Sequence, residues 1–170
     1  MSLKIGDSIS SFSLLDEQEV EREFKAPFEK KIVFFFYPKD NTPGCTREAC
    51  AFSDAFEDFS KSGVDIYGIS NDSAASHRGF KMSNNLPYPL LSDPKGRVRE
   101  KFGVKKDLFG LLPGRVTYIV DENGIVQHIY KSHLNMDGHI KESLDAIDRI
   151  NSSQKVKLFH EQSSFSATLK

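Results

Sequence analysis

An α/β sandwich built on a central mixed sheet is the fold class this sequence predicts. Three observations carry it. Two apolar strands, Lys31 to Tyr37 and Val64 to Ser70, flank a long helical segment. An Asn-Gly pair separates two later alternating runs, and an amphipathic helix follows them. Strand, helix and strand in that order form a crossover, which pairs its strands in parallel. The Asn-Gly turn closes a tight hairpin, which pairs its strands antiparallel. A sheet that holds both is mixed.

Each element has a local reason. Residues before Lys30 alternate weakly through Ile9, Phe12 and Leu14, then through Val20, Phe24 and Phe28, around the polar Asp16-Glu17-Gln18. That pattern predicts a small N-terminal hairpin. Lys31 to Tyr37 carries no polar residue after Lys31, the composition of a strand buried on both faces. A helix follows over Pro43 to Lys61, with Thr42 as a capping hydroxyl and proline at the first helical position. After Val64 to Ser70, a second helix spans Ser73 to Asn84, capped by Ser73 or Asp72. Tyr88-Pro89-Leu90-Leu91 is a short stretch leading into the turn Ser92-Asp93-Pro94-Lys95-Gly96. Arg97 to Phe102 is a brief helix closed by Gly103. Arg115 to Val120 and Ile125 to Tyr130 are the hairpin strands around Asp121-Glu122-Asn123-Gly124. The last helix, Asp137 to Ile150, sets Ile140, Leu144, Ile147 and Ile150 on one face. The order is that of a thioredoxin-like sandwich with an N-terminal hairpin extension and flanking helices, one domain over residues 3–150. Residues 151–170 hold five serines and no helical periodicity. They read as a C-terminal tail without an assigned role, Val156 to Phe159 being its one stretch suited to strand pairing.

Composition narrows the function. Hydrophobic residues at 38% and charged residues at 28% suit a globular domain rather than a disordered chain. A net charge of −1 supplies no basic field for nucleic acid or an anionic membrane. The longest apolar run, Ile32 to Tyr37, is far too short to span a bilayer, and the first residues show no secretory signal. The expected setting is cytoplasmic, or a mature organelle protein without its transit peptide. Two cysteines are too few for a disulfide scaffold or a cysteine-based zinc site, and the five histidines show no ligand spacing, His133 and His139 being the only suggestive pair. No metal or other cofactor is expected.

Both cysteines lie in Phe36-Tyr37-Pro38-Lys39-Asp40-Asn41-Thr42-Pro43-Gly44-Cys45-Thr46-Arg47-Glu48-Ala49-Cys50, where a strand becomes a helix. A cysteine in the first helical turn faces unpaired N–H groups and the positive dipole end, which favour thiolate over thiol. Gly44 keeps the approach to the sulfur free of a side chain. Cys45, Ala49, Phe52, Phe56 and Phe59 share one helical stripe, while Cys50 falls with Ser53, Asp54, Glu57 and Lys61 on the wet face. Five residues of helix set two Cα atoms ~8.5 Å apart, and a disulfide needs them within about 7 Å. The two thiols therefore cannot bond while the turn is helical. Unwinding of the first turns is predicted. An inert buried cysteine under an ordinary cap is the plain alternative.

The spacing Pro38-x-x-x-Thr42-x-x-Cys45 resembles the active-site signature of peroxiredoxins, and Cys45-Thr46-Arg47-Glu48-Ala49-Cys50 resembles their Q-type, or bacterioferritin comigratory protein, subfamily. Pro113 to Asp121 is similar to that family's later strand with its arginine, and Asp7 to Leu15 to its opening. The resemblance implies a thiol peroxidase acting on hydrogen peroxide and small organic hydroperoxides. Cys45 would be the peroxidatic thiolate and Cys50 the resolving thiol. Thr42, Arg115 and the Cys45 N–H would stabilise the leaving oxygen, and Pro38 would shield the sulfenic acid. Thioredoxin or a similar dithiol would be the reductant, and the chain would be a monomer or weak homodimer.

Other readings stand beside this one. Arg47 and Glu48 either tune the thiols or are solvated helix charges, and Arg115 could be a strand-end surface ion pair. Leu108 to Pro113 either covers the site or packs as a half-buried loop. The two Asn-x-Ser sequons, at Asn71 and Asn151, read as accidental without a signal peptide. A thioredoxin-type oxidoreductase would want Cys-x-x-Cys, and here four residues intervene. A redox-sensing or chaperone-like binding protein could use the same disulfide as a switch.

Overall fold

The computed structural model describes residues 2–106 and 113–167, with side-chain detail through residue 160. Seven strands form one sheet: β1 (Phe12–Asp16), β2 (Glu21–Phe24), β3 (Lys31–Phe36), β4 (Val64–Ser70), β5 (Leu90–Ser92), β6 (Val116–Val120) and β7 (Val126–Lys131). Their order across the sheet is β2-β1-β5-β4-β3-β6-β7. β3 pairs in parallel with β4, and β4 with β5, while β3 with β6, β6 with β7, and β1 with both neighbours are antiparallel. The mixed sheet, both hairpins and the crossover are as the sequence predicts.

The strand β3 shows why this sheet is central. Its alternate residues feed two cores. Val33, Phe35 and Tyr37 pack with Cys45, Ala49, Phe52 and Phe59 on one face. Ile32, Phe34 and Phe36 pack with Phe12, Phe24, Val98, Phe102 and Tyr118 on the other. A strand apolar at every position after Lys31 demands cover on both sides, because successive side chains point to opposite faces. The helices α1 (Pro43–Asp54), α2 (Phe56–Lys61), α3 (Ala74–Asn84) and α5 (Met136–Ala167) contribute to the first core, and α4 (Arg97–Phe102) to the second.

Two expectations need correction. The helix expected over Pro43 to Lys61 is two helices, because Ala55 turns at φ −91° and ψ 3° and interrupts it. The stripe survives the break, with Phe59 buried and Phe56 half-buried. The final helix does not stop at Ile150 but runs on to Ala167, so Val156 to Phe159 are helical. Residues 151–160 are almost wholly exposed, so no apolar stripe marks them in the sequence. No glycine or proline after Gly138 breaks the helix, and Ser153 Oγ donates to the Arg149 carbonyl one turn back at 2.9 Å.

Candidate active site

β3 ends where the site begins. Tyr37 leads out of the strand into a loop through Pro38 and Asn41, and Pro43 starts α1. Buried polar groups pin that loop from beneath. Asp40 accepts from the Tyr37 hydroxyl at 2.7 Å and from Ser76 Oγ at 2.8 Å, while its own N–H donates to Asp72 at 2.9 Å. His77 bridges Asp40 through Nδ1 at 2.9 Å and the Leu91 carbonyl through Nε2 at 3.1 Å. Burial works to raise the Asp40 pKa, but His77, Tyr37 and Ser76 more than offset it and hold the carboxyl below its ordinary value. Asp40, Asp72 and His77 are also the one group among the described residues whose donor atoms gather closely enough for a metal, within 4.8 Å. All three are engaged in the hydrogen bonds that fix the loop.

A second anchor joins the loop to β6. The buried Arg99 donates one guanidinium nitrogen to the Tyr37 carbonyl and another to the Gly114 carbonyl, both at 2.7 Å. One side chain thus fixes the end of β3 against the residue before Arg115.

Cys45 stands third in α1, 1% exposed. The N–H groups of the first turn have no intrahelical acceptor and point toward the helix start. Thr42 does not cap them. Its hydroxyl donates to the Lys39 carbonyl at 2.9 Å, with no side-chain bond to the helix. The expected capping bond is not made, which leaves those N–H groups to the site. Pro38 is half-buried in the same loop. A Cβ on Gly44 would sit 3.2 Å from the Met136 methyl and 3.3 Å from an Arg115 nitrogen, so glycine here makes room for the guanidinium.

Arg115 is the group that meets the sulfur. It is buried, and donates one terminal nitrogen to Cys45 Sγ at 3.2 Å and the other to Glu48. The surface ion pair weighed for Arg115 is thereby replaced by a buried one. Glu48, which could have been a solvated charge, is fully buried, whereas Arg47 is exposed and pairs with Asp137 at 2.6 Å. Burial works against the Arg115 charge, but Glu48 and Cys45 together hold its pKa above the ordinary value. The pair is lopsided. Arg115 has two acceptors, Cys45 and Glu48, while Glu48 has one cation and an Oε1 without a hydrogen bond. Burial accordingly pushes the Glu48 carboxyl up to about 7 against the pull of Arg115.

Behind Glu48 lies His139, also fully buried. Its Nε2 donates to the Ser132 carbonyl at 2.9 Å, which leaves Nδ1 to accept the Thr117 hydroxyl at 2.7 Å. Nδ1 also lies 3.4 Å from Glu48 Oε1. Burial pushes this imidazole down to about 4, against the Ser132 hydrogen bond, with Arg115 and His133 adding to the effect. It is neutral at neutral pH.

These two groups give the fold opposite pH dependences. Between about 4.5 and 7 the folded Glu48 holds a proton that the unfolded chain has lost. That stabilisation is fully present below 4.5 and is lost as pH rises through 7. His139 stabilises above 6.5, and its contribution is lost as pH falls through 4. Glu48→Gln cannot titrate, so its stability is expected to gain on wild type by about 1–3 kcal/mol as the pH rises from ~5 to ~8. Urea unfolding at matched pH measures this, and a constant difference between the two proteins contradicts it.

Cys50 is half-buried, its Sγ 3.8 Å from Asn84 Oδ1, and both cysteines are free thiols inside an unbroken α1. Burial first, and then Asp54, raise the Cys50 pKa, so it waits as a thiol. Among the predicted site residues, the structure brings Cys45 and Arg115 into contact and sets Cys50 five residues along the same helix. Thr42 and Pro38 lie in the adjoining loop. Leu108 to Leu112 fall outside the described residues. Glu48, weighed from the sequence as a group that could tune the thiols, sits on Arg115, while the residues that sequence reasoning missed are Thr117, His139 and Arg99. Thr117 had a signal, since it follows Arg115 by two in the strand predicted over Arg115 to Val120 and so would share its face.

Known proteins resemble this chain in sequence and in fold. Residues 5–129 match the model of the AhpC/TSA family. The chain is 44% identical over 145 residues to a protein of Oryza sativa subsp. japonica named peroxiredoxin Q, chloroplastic, covering 85% of this chain and 67% of that one. The crystal structure of peroxidoxin BcpB from Mycobacterium tuberculosis superimposes with a TM-score of 0.80 at 35% identity, over 87% of this chain and 98% of that one. A Xanthomonas campestris bacterioferritin comigratory protein, studied for alkyl peroxide reduction, superimposes with a TM-score of 0.75 at 27% identity, over 84% and 98%.

Proposed function

Because the chain belongs to the AhpC/TSA family, alongside peroxiredoxin Q proteins, and is a thiol-dependent peroxidase, we propose that Cys45 is its peroxidatic thiolate and Cys50 its resolving thiol. The observation that carries this reading is the Arg115 guanidinium on the Cys45 sulfur at the start of a helix. A cation and a dipole end converge there on one atom, and both favour the anion that attacks.

In the first step, the sulfur forms a bond to one peroxide oxygen and the O–O bond breaks. Cys45 becomes a sulfenic acid, and hydroxide or alkoxide departs to be protonated by solvent. Negative charge moves from sulfur to the leaving oxygen, so donors already in place lower the barrier. Arg115 and the free N–H of Cys45 fill that part. With its hydroxyl donating to the Lys39 carbonyl, Thr42 has lone pairs left to accept the O–H of an incoming peroxide. Pro38 carries no N–H and limits water at the sulfur.

In the second step, Cys50 attacks the sulfenic sulfur, an S–S bond forms and water leaves. The intact helix keeps the two apart, ~8.5 Å between Cα atoms, so α1 opens between the steps. Opening also exposes Cys50 and removes the burial that disfavours its thiolate. A dithiol such as thioredoxin then regenerates both thiols by exchange. Hydrogen peroxide and small organic hydroperoxides are the proposed substrates, the organic class supported by the activity studied in the Xanthomonas relative. The reductant fits a reducing compartment, the cytosol or, as for the plant relatives, the chloroplast.

Peroxide consumption driven by thioredoxin and its reductase tests the cycle. Wild type is expected to turn over continuously. Cys50→Ser is expected to be oxidised once at an undiminished rate and then stall. A Cys50→Ser protein that cycles normally with thioredoxin contradicts the resolving role.

A further inference from the structure

We propose that Tyr88 is a positioning residue for the resolving step: its hydroxyl clasps the helical turn that carries Cys50 and sets how readily that turn opens. The proposal rests on the resolving role of Cys50.

Tyr88 donates its hydroxyl to the Ala49 carbonyl at 2.6 Å, and both residues are buried. That carbonyl belongs to the peptide unit joining Ala49 to Cys50. A carbonyl oxygen has two lone pairs, so it takes the tyrosine proton alongside its intrahelical N–H. The tyrosine itself is fixed. It sits between Pro87 and Pro89, where the backbone has little torsional freedom, and its ring packs edge-on against Phe35 at 5.7 Å. The same connection holds the thiol side of the turn. Asn84, the last residue of α3, lies against Cys50 Sγ and is tied by Nδ2 to the Phe80 carbonyl at 2.9 Å. Residues 49 and 50 are thus held by a segment that ends α3 and leads into the sheet, and that segment has no part in peroxide attack.

Opening the turn has a defined consequence. When residues 45–50 leave the helix, the Ala49 carbonyl moves away and the hydroxyl of the buried Tyr88 loses its acceptor. An unpaired buried donor is disfavoured more strongly than a made bond is favoured. The clasp therefore biases the reduced protein toward the intact helix that attacks peroxide, and slows the rearrangement that lets Cys50 reach Cys45. A second peroxide then has longer to take the sulfenate to sulfinate, transferring one oxygen and leaving as water or alcohol.

Tyr88→Phe keeps the ring and removes only the bond. First oxidation by sub-stoichiometric peroxide is expected to be unchanged. Disulfide formation after it is expected to quicken by about two- to tenfold. Amide exchange across residues 45–53 of the reduced protein is expected to rise by a similar factor. Unchanged exchange and unchanged disulfide formation overturn the clasp, as does a first oxidation that slows, which would make Tyr88 a support of the attacking geometry instead. Failure of the underlying reading shows separately, as a thioredoxin-driven cycle that survives Cys50→Ser.

Discussion

Cys45→Ser is expected to abolish thioredoxin-driven peroxide consumption. The substitution exchanges sulfur for oxygen at a site that is otherwise preserved: serine fits the same volume, and Arg115 can donate to its hydroxyl as it does to the thiol. Stability and secondary structure should therefore hold, and the loss can be assigned to chemistry. A serine hydroxyl is a far weaker acid than a thiol, so even a helix start and a guanidinium leave it protonated at neutral pH. The other thiol cannot take over. Cys50 lies down the helix from Arg115, against Asn84, with burial and Asp54 both opposing its ionisation. Any remaining oxidation should proceed at the rate of an ordinary thiol and should vanish in the double variant with Cys50→Ser. Substantial turnover by Cys45→Ser would move the peroxidatic role elsewhere.

Arg115→Ala is expected to slow the first oxidation by about 10²–10³-fold, the scale on which removing a donor to a developing oxyanion acts. Arg115→Lys should recover only part of this, because a single ammonium cannot hold Cys45 and Glu48 with two separate nitrogens as the guanidinium does. The substitution also strands Glu48, and loss of one partner from a buried pair costs about 3–5 kcal/mol. That cost is pH-dependent with a definite sign. Glu48 already titrates at about 7 and moves higher without its cation, so protonation relieves the loss at low pH and the penalty grows as pH rises. Stability and chemistry can therefore be separated. Adding Glu48→Gln to Arg115→Ala should restore much of the stability at alkaline pH, measured by urea unfolding, and none of the rate. Recovery of the rate would mean that Arg115 acts through folding rather than on the sulfur.

Much of this was legible in the chain because it is local. Lys31 to Tyr37 announces a strand covered on both faces, Asn123-Gly124 a hairpin, and Thr42-Pro43 a helix start, and each lies where expected. The placement of the two sulfurs, Cys45 on the buried stripe of α1 and Cys50 off it, followed from helical geometry. What was hidden is the pairing of polar groups across elements. Glu48 falls on the apolar stripe with Cys45, Ala49 and Phe52, and a charge there signals a buried partner, but nothing in the sequence says that β6 supplies it. His139 read as one half of a weak metal pair, yet its ring belongs to Thr117, Ser132 and Glu48, which only the fold brings within reach. Thr42 was read through its helix and serves its loop. The extension of α5 was missed for the opposite reason: a helix that packs on little leaves no periodic trace.

Mixing the fully reduced protein rapidly with less than one equivalent of hydrogen peroxide, and following loss of the Cys45 thiol, asks whether this sulfur is held ready to attack. Oxidation orders of magnitude faster than that of a free cysteine at the same pH is the expected result. Oxidation no faster than a free cysteine would contradict it, even if a Cys45–Cys50 disulfide formed afterwards.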